Sequence, residues 1–142
     1  MQIAERIRHD VTTAMKAGER ERVAALRLVL SELQKAAKEG ESDELAVLRR
    51  ERKRRREAEE AYRDAGRAEL AAGEAFEAVT IEAYLPAELT DAELDALVAA
   101  SMQATGASSP RDMGRVMSHV MAAAGGRADG RRVSARVKEA LS

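Results

Sequence analysis

Between one glycine and the next, apolar residues in this chain return every third or fourth position, a spacing that fits amphipathic helices and little else. Ile3, Ile7, Val11, Ala14 and Met15 draw one such line from Gln2 to about Ala17, closed by Gly18. Val23, Leu26, Leu30, Leu33 and Ala37 draw the next from Glu19 to about Lys38, closed by Gly40, and the short link predicts an antiparallel pair. Ser42 and Asp43 offer caps for a third helix that starts with Leu45 and Leu48 and runs to Tyr62 or Ala65. Gly66 separates it from a fourth, Arg67 to Tyr84, with Leu70, Phe76, Val79 and Ala83 facing inward and Ile81 as a further candidate. Gly73 weakens that helix, and Tyr84-Leu85-Pro86 ends it, because the residue before proline is biased away from helix.

Beyond Pro86 the pattern continues. Thr90 and Glu93 make a capping box for a helix with Leu94, Leu97, Val98 and Met102 inward, ended by Gly106. Ser109, Pro110 and Asp112 then form a second start signal, followed by the stripe Met113, Val116, Met117, Val120 and Met121. Gly125 and Gly126 stop this helix, and Asp129 is placed to cap a last one whose apolar side is Val133, Val137, Ala140 and Leu141. Between the two lies the corner Gly126-Arg127-Ala128-Asp129-Gly130, where Gly126 and Gly130 permit a tight reversal. The predicted fold is all-α, with two helical bundles in series: a four-helix bundle over residues 1–85 and a three-helix bundle over 90–142.

Asp112-Met113-Gly114-Arg115-Val116-Met117, then Met121, then Gly126-Arg127-Ala128-Asp129-Gly130 and Val133, resemble the signature of the GatB/YqeY family. So does Glu82-Ala83-Tyr84-Leu85-Pro86-Ala87-Glu88-Leu89, which is similar to the phrase that joins the family's two bundles. Ser134 stands where the family more often has asparagine. The family includes small stand-alone proteins and the tail domain of the B subunit of tRNA-dependent amidotransferases. That tail is associated with holding tRNA while misacylated Glu-tRNA or Asp-tRNA is amidated with glutamine as donor. The resemblance therefore implies a tRNA partner, a possible protein partner in tRNA aminoacylation or amidation, and a family label of carbon-nitrogen ligase with glutamine as amido-N-donor. It brings no catalytic residue, since the kinase-like body of the B subunit and the amidase partner have no counterpart in 142 residues.

Charge is strongly segregated behind a net value of -1. Arg49 to Arg56 holds seven basic residues and one acidic; Glu57 to Asp95 holds two basic and twelve acidic; Ala107 to Ser142 holds seven basic and three acidic. The arginine block interrupts the apolar rhythm, placing Arg52, Arg55 and Glu59 at the seam. Either that helix is half packed there, or long arginine stems lie along a neighbour with their heads in water. Downstream carboxylates allow pairs such as Arg56 with Glu60 and Lys53 with Glu57.

Composition excludes several chemistries. With no cysteine there are no disulfides, thiolate metal sites or cysteine nucleophiles, and two distant histidines, His9 and His119, suggest no metal cluster. Aromatic residues make up 2%, so the cores must be aliphatic and an RNA surface built on base stacking is disfavoured. No apolar run approaches the roughly 20 residues of a membrane span. Met1 to Asp10 reads as an amphipathic helix start rather than a secretory signal, which makes the cytoplasm the expected location. No nucleotide-binding glycine loop is present, and Ser118 beside His119 is a helix-neighbour pair pointing to different sides, unlike a nucleophile and its base. No catalytic residue, metal or cofactor is expected.

Three features retain two readings. The glycine corner is a structural junction, and it also places Arg127, Arg131 and Arg132 beside the N-terminus of the last helix, where an anion is favoured, with Arg111 and Arg115 extending the patch. Met113, Met117 and Met121 fill an aliphatic core or form an adaptable partner stripe. The arginine block is a solvated helix face or a second cationic track, with Arg49, Lys53, Arg52 and Arg56, along a phosphate backbone. The expected function is a non-catalytic tRNA-binding accessory protein, and the alternative is a protein-interaction adaptor with no nucleic-acid role.

Overall fold

The computed structural model describes residues 2–142, so Met1, at the head of the predicted amphipathic start, lies outside them. Among the described residues the regular structure is entirely helical, in two compact units that divide between Leu85 and Pro86.

The first unit holds α1 (Gln2–Lys16), α2 (Arg20–Lys38), α3 (Glu44–Asp64) and α4 (Ala68–Glu82). Ala4, Ile7 and Ala14 of α1 pack with Val23, Leu26, Val29, Leu33 and Ala36 of α2, closed by Val47 and Leu48 of α3, Ile81 of α4 and Tyr84 just beyond it. The core line differs from the sequence expectation at its edges. Met15 is exposed, since Ala14 already meets the core, and an Arg27 N–H donates to its sulfur. On α2 Leu26 and Leu33 are buried as expected, while Val29 and Ala36 are buried in place of the expected Leu30 and Ala37, which are half-buried.

Two polar contacts close this unit over long sequence distances. The Glu44 carboxylate, at the first turn of α3, accepts hydrogen bonds from the amides of Ile3 (3.1 Å) and Ala4 (2.9 Å), so the open N-terminus of α1 is capped from another helix. The Tyr84 hydroxyl donates to the Asp10 carboxylate, and the Arg6 guanidinium sits 5.2 Å from the Tyr84 ring centroid.

Below Leu48 the face of α3 turned toward α4 is ionic. Glu51 is 3% exposed and Arg55 9%. Arg55 donates through Nη1 to Glu51 Oε1 (2.8 Å) and through Nε to Glu77 Oε2 of α4 (3.1 Å). Arg56 reaches Glu59 (2.9 Å) and Glu82 of α4 (2.8 Å), and Arg63 adds a bond to Glu59 (2.7 Å). The Arg55 head is therefore buried between two carboxylates and not left in water. Glu51 and Arg55, with Glu59, line the seam, while Arg52 is only half-buried.

This ladder decides which way α4 faces. Its inner side carries Ala71, Ala78 and Ile81 with Glu77 and Glu82, small residues that leave room for arginine and acids that answer it. Phe76 (40% exposed) and Val79 (56%) consequently point outward, as do Leu70 and Ala83, contrary to the expectation that the bulkiest apolar residues turn inward.

The second unit holds α5 (Asp91–Thr105), a 3-10 turn (Pro110–Asp112), α6 (Met113–Ala124) and α7 (Gly130–Leu141). Leu94 and Val98, Val116, Val120 and Ala124, Ala128, and Val133, Val137 and Leu141 form its aliphatic core, with Met113 and Met117 at the margin. Met121 and Ala140 are exposed, because their positions roll past the edge of the buried stripe. The Thr90 and Glu93 capping box forms as expected, with bonds of 3.1 and 3.0 Å. Gly125 and Gly126 take the left-handed conformation (φ 58° and 82°), so the reversal rests on this pair; Gly130 lies outside that region as the first residue of α7.

Two outcomes follow from the first unit. Removing one partner of a buried ion pair strands the other, so Arg55→Ala is expected to cost about 3 kcal/mol or more in urea unfolding. Arg54→Ala, which removes a largely exposed partner of the same Glu51, is expected to cost less than about 1 kcal/mol. Burial, reinforced by the Asp10 carboxylate, raises the Tyr84 phenol above its usual range. Stability from this group is thus complete below about pH 10, the unfolded value, and is lost as pH rises through the folded one. In a Tyr62→Phe chain, phenolate absorbance is expected to appear at higher pH in the folded protein than in urea.

Candidate nucleic-acid interface

The corner at residues 125–130 is held by Arg127 within it and by arginines of α7 just beyond it. The Arg127 amide closes onto the Ala124 carbonyl, and its side chain turns back so that Nε donates to the Ala87 carbonyl at 2.8 Å. The Arg127 carbonyl accepts from the Leu89 amide, also at 2.8 Å. Arg132 Nη2 donates to the Leu89 carbonyl (2.8 Å) and to Asp91 Oδ1 (3.0 Å), and Arg136 reaches Asp91 (3.1 Å) and Asp95 (3.5 Å). The segment entering α5 is thereby stitched to the start of α7. At the N-terminus of α7, the Asp129 carboxylate accepts from the Arg132 amide at 2.8 Å, as a cap should.

Of the sequence-predicted site residues on this side, Arg127 and Arg132 face the segment 87–91, and Arg131 is exposed on the first turn of α7. Arg111 and Arg115 lie elsewhere, on the 3-10 turn and on α6. On α3, Arg56 is tied into the ladder and Arg52 is half-buried, while Arg49 and Lys53 make no ion pair among the described residues.

Arg111 and Arg115 border an open, shallow depression completed by Thr105, Gly114, Ser118 and His119. The 3-10 turn builds one edge. Asp112 Oδ2 accepts from the amides of Ser108 (3.0 Å) and Ser109 (3.3 Å), while Oδ1 takes Arg115 Nη2 at 2.6 Å. A second Arg115 nitrogen donates to the Thr105 carbonyl at 3.0 Å, so this guanidinium is oriented on two sides while its side chain remains exposed. Arg111 is exposed with no ion-pair partner among the described residues. Apart from its chain neighbours and the backbone of its own helix, nothing lies within 4 Å of where a Cβ on Gly114 would sit, which leaves the α6 backbone open to close approach. His119 Nδ1 is 2.7 Å from Ser101 Oγ, and Ser101, on α5, is fully buried.

The lining holds two guanidinium groups, two hydroxyls and an imidazole, and no carboxylate. Such a surface offers donors to phosphate oxygens along a strand and no aromatic face for a base. Ser118 and Gly114 share this face with Arg111 and Arg115 at spacings of three and four, so the two sequence-predicted arginines stand with neighbours that carry no charge to mark them. The Ser101 contact joins residues 18 apart and left no local signal. Among the described residues no group of histidine and acidic side chains is placed to hold a metal ion, and no helix is long and apolar enough to cross a membrane.

A protein-family model described as Yqey-like protein matches residues 4–141. Among curated proteins, none matches the sequence.

Several carboxylates of this unit are held below the usual range. Asp91 is lowered by the hydrogen bond from Arg132 and the charge of Arg136, Glu93 by the Thr90 amide and hydroxyl, and Asp112 by the Ser108 amide and Arg115. A depressed carboxylate contributes stability that is complete above the unfolded value, about 4, and lost as pH falls through the folded one. Thermal unfolding followed by circular dichroism is therefore expected to hold its midpoint from about pH 7 to about pH 5 and to drop below about pH 4. Asp91→Asn is expected to lower the neutral midpoint and shallow the acid drop.

Proposed function

The chain belongs to the Yqey-like protein family, and we propose that it is a non-catalytic tRNA-binding accessory protein, working in the cytoplasm beside the glutamine-dependent amidation of tRNA. The observation that carries this reading is the depression beside α6, where Arg111 and Arg115 stand with Thr105 and Ser118, no acid is in the lining, and the nearby Asp112 is engaged with Arg115 and two amides. Cations of this kind neutralise backbone phosphates, and polar side chains beside them set register without reading sequence. The similarity of residues 112–133 to the amidotransferase tail supports tRNA as the polymer in question. Arg127 and Arg132 contribute to this role by holding the α5 entry in place, and Arg131 adds charge at the neighbouring helix start.

A second reading, a protein-interaction adaptor, is favoured by the outward Phe76 and Val79 on α4. The acidic segment supports it less well, because Glu59, Glu77, Glu82, Asp91 and Asp95 are already engaged with arginines of their own units.

Binding to bulk tRNA across a salt series separates the two. Arg111→Glu is expected to weaken binding several-fold and to lower the steepness of the salt dependence by about 1 in log–log slope, with helicity unchanged. Lys53→Glu, on α3, is expected to leave both as they are. Unaltered affinity in Arg111→Glu overturns the assignment to this depression, and no binding by the wild type at low salt favours the adaptor.

A further inference from the structure

His119 is unusual among the residues around the α6 depression in being both anchored and able to change charge. Its Nδ1 lies 2.7 Å from Ser101 Oγ, and Ser101 is fully buried on α5, so the ring orientation is fixed from the core side. With Nδ1 occupied, Nε2 is the nitrogen left for a ligand, and the ring forms part of the lining that contains Arg111 and Arg115. If Nδ1–H donates to the serine oxygen, that bond survives protonation, because both nitrogens of an imidazolium are donors.

The groups around the ring favour an anion there. From α5, Ser101 and Thr105 face this region, and that helix carries no charged residue after Asp95. From the preceding turn, Asp112 is bound to the Ser108 and Ser109 amides and to Arg115. The charged neighbours within the lining are Arg111, on the 3-10 turn, and Arg115, on α6. From α7, Arg132 and Arg136 are engaged with Asp91 and Asp95, and Arg131, Lys138 and Glu139 take no part in the lining. With no carboxylate in the depression, a bound anion is the partner left for a charged imidazole.

Resting on the nucleic-acid reading above, we infer that this depression is a phosphodiester subsite in which His119, held by Ser101, is a third and titratable cation beside Arg111 and Arg115. Neutral His119 donates one hydrogen bond at most; the imidazolium adds a full charge next to the phosphate. Backbone affinity at this site therefore rises as pH falls through the range where imidazoles titrate, while the arginines and the diester keep their charges.

A labelled oligouridylate, which has no secondary structure to melt, tests this with the full chain at constant ionic strength. Wild-type affinity is expected to be at least about threefold tighter near pH 5.5 than near pH 7.5. In His119→Gln, whose amide can still donate to Ser101 but cannot titrate, that difference is expected to vanish, whereas His9→Gln keeps it. Equal wild-type affinity at both pH values, or a pH dependence retained in His119→Gln, overturns the inference. If oligouridylate does not bind at either pH, the nucleic-acid reading fails, and the subsite is decided by proton NMR of the two imidazoles with sulfate as probe. Sulfate raising the His119 titration midpoint, against chloride of matched ionic strength and with His9 unmoved, supports an oxyanion subsite; an unmoved His119 midpoint, or equal shifts in both, overturns it.

Discussion

Arg55 lies between Glu51 of its own helix and Glu77 of the next, and the first unit is arranged to make that burial tolerable. A guanidinium taken out of water needs carboxylates within hydrogen-bond reach, or the desolvation cost is not recovered. Burial works against the Arg55 charge, and the two glutamates outweigh it, leaving the group more firmly protonated than a free arginine. The same demand recurs one turn on, where Arg56 is shared by Glu59 and Glu82. With those acids fixed on α4, its alanines fall against α3 and its bulkiest side chains are left outside. The aliphatic core of the unit ends on α3 at Leu48.

The charge blocks that stand apart in the sequence are mixed in space. Acids between Glu57 and Asp95 answer two sets of arginines: Glu59, Glu77 and Glu82 meet the block on α3, and Asp91 and Asp95 meet Arg132 and Arg136 on α7. A run of like charge thus marks where a complementary helix must be found, and only what remains after pairing is offered to a ligand. By that measure Arg111, on the 3-10 turn, offers more to an anion than Arg115, which is paired with Asp112, or than Arg127 and Arg132, which hold the chain itself.

Helix number, helix ends and the aliphatic character of both cores were legible because caps and apolar spacing are local: Thr90 with Glu93, Asp129 before α7, and the pair Gly125 and Gly126 each act within a few residues. The facing of α4 was not, since the rule that large apolar residues turn inward presumes an apolar neighbour, and α3 presents arginine there. Glu44 capping α1 and Ser101 anchoring His119 escaped for a different reason, as each joins positions on separate helices with no periodic trace. Of the candidate basic residues, Arg111 and Arg115 were identified by type, but their company with Thr105, Gly114 and Ser118 required the fold.

The stitching of residues 87–91 to the corner before α7 also bears on synthesis. The first unit has every partner it uses by Leu85, so it can close while the rest of the chain is still being made. The second cannot follow helix by helix, because Ala87, Leu89 and Asp91 wait for Arg127 and Arg132, some forty residues later. Until those arginines have been made, the α5 entry lacks the bonds that tie it to the corner, and the second unit assembles only after the start of α7 has been synthesised.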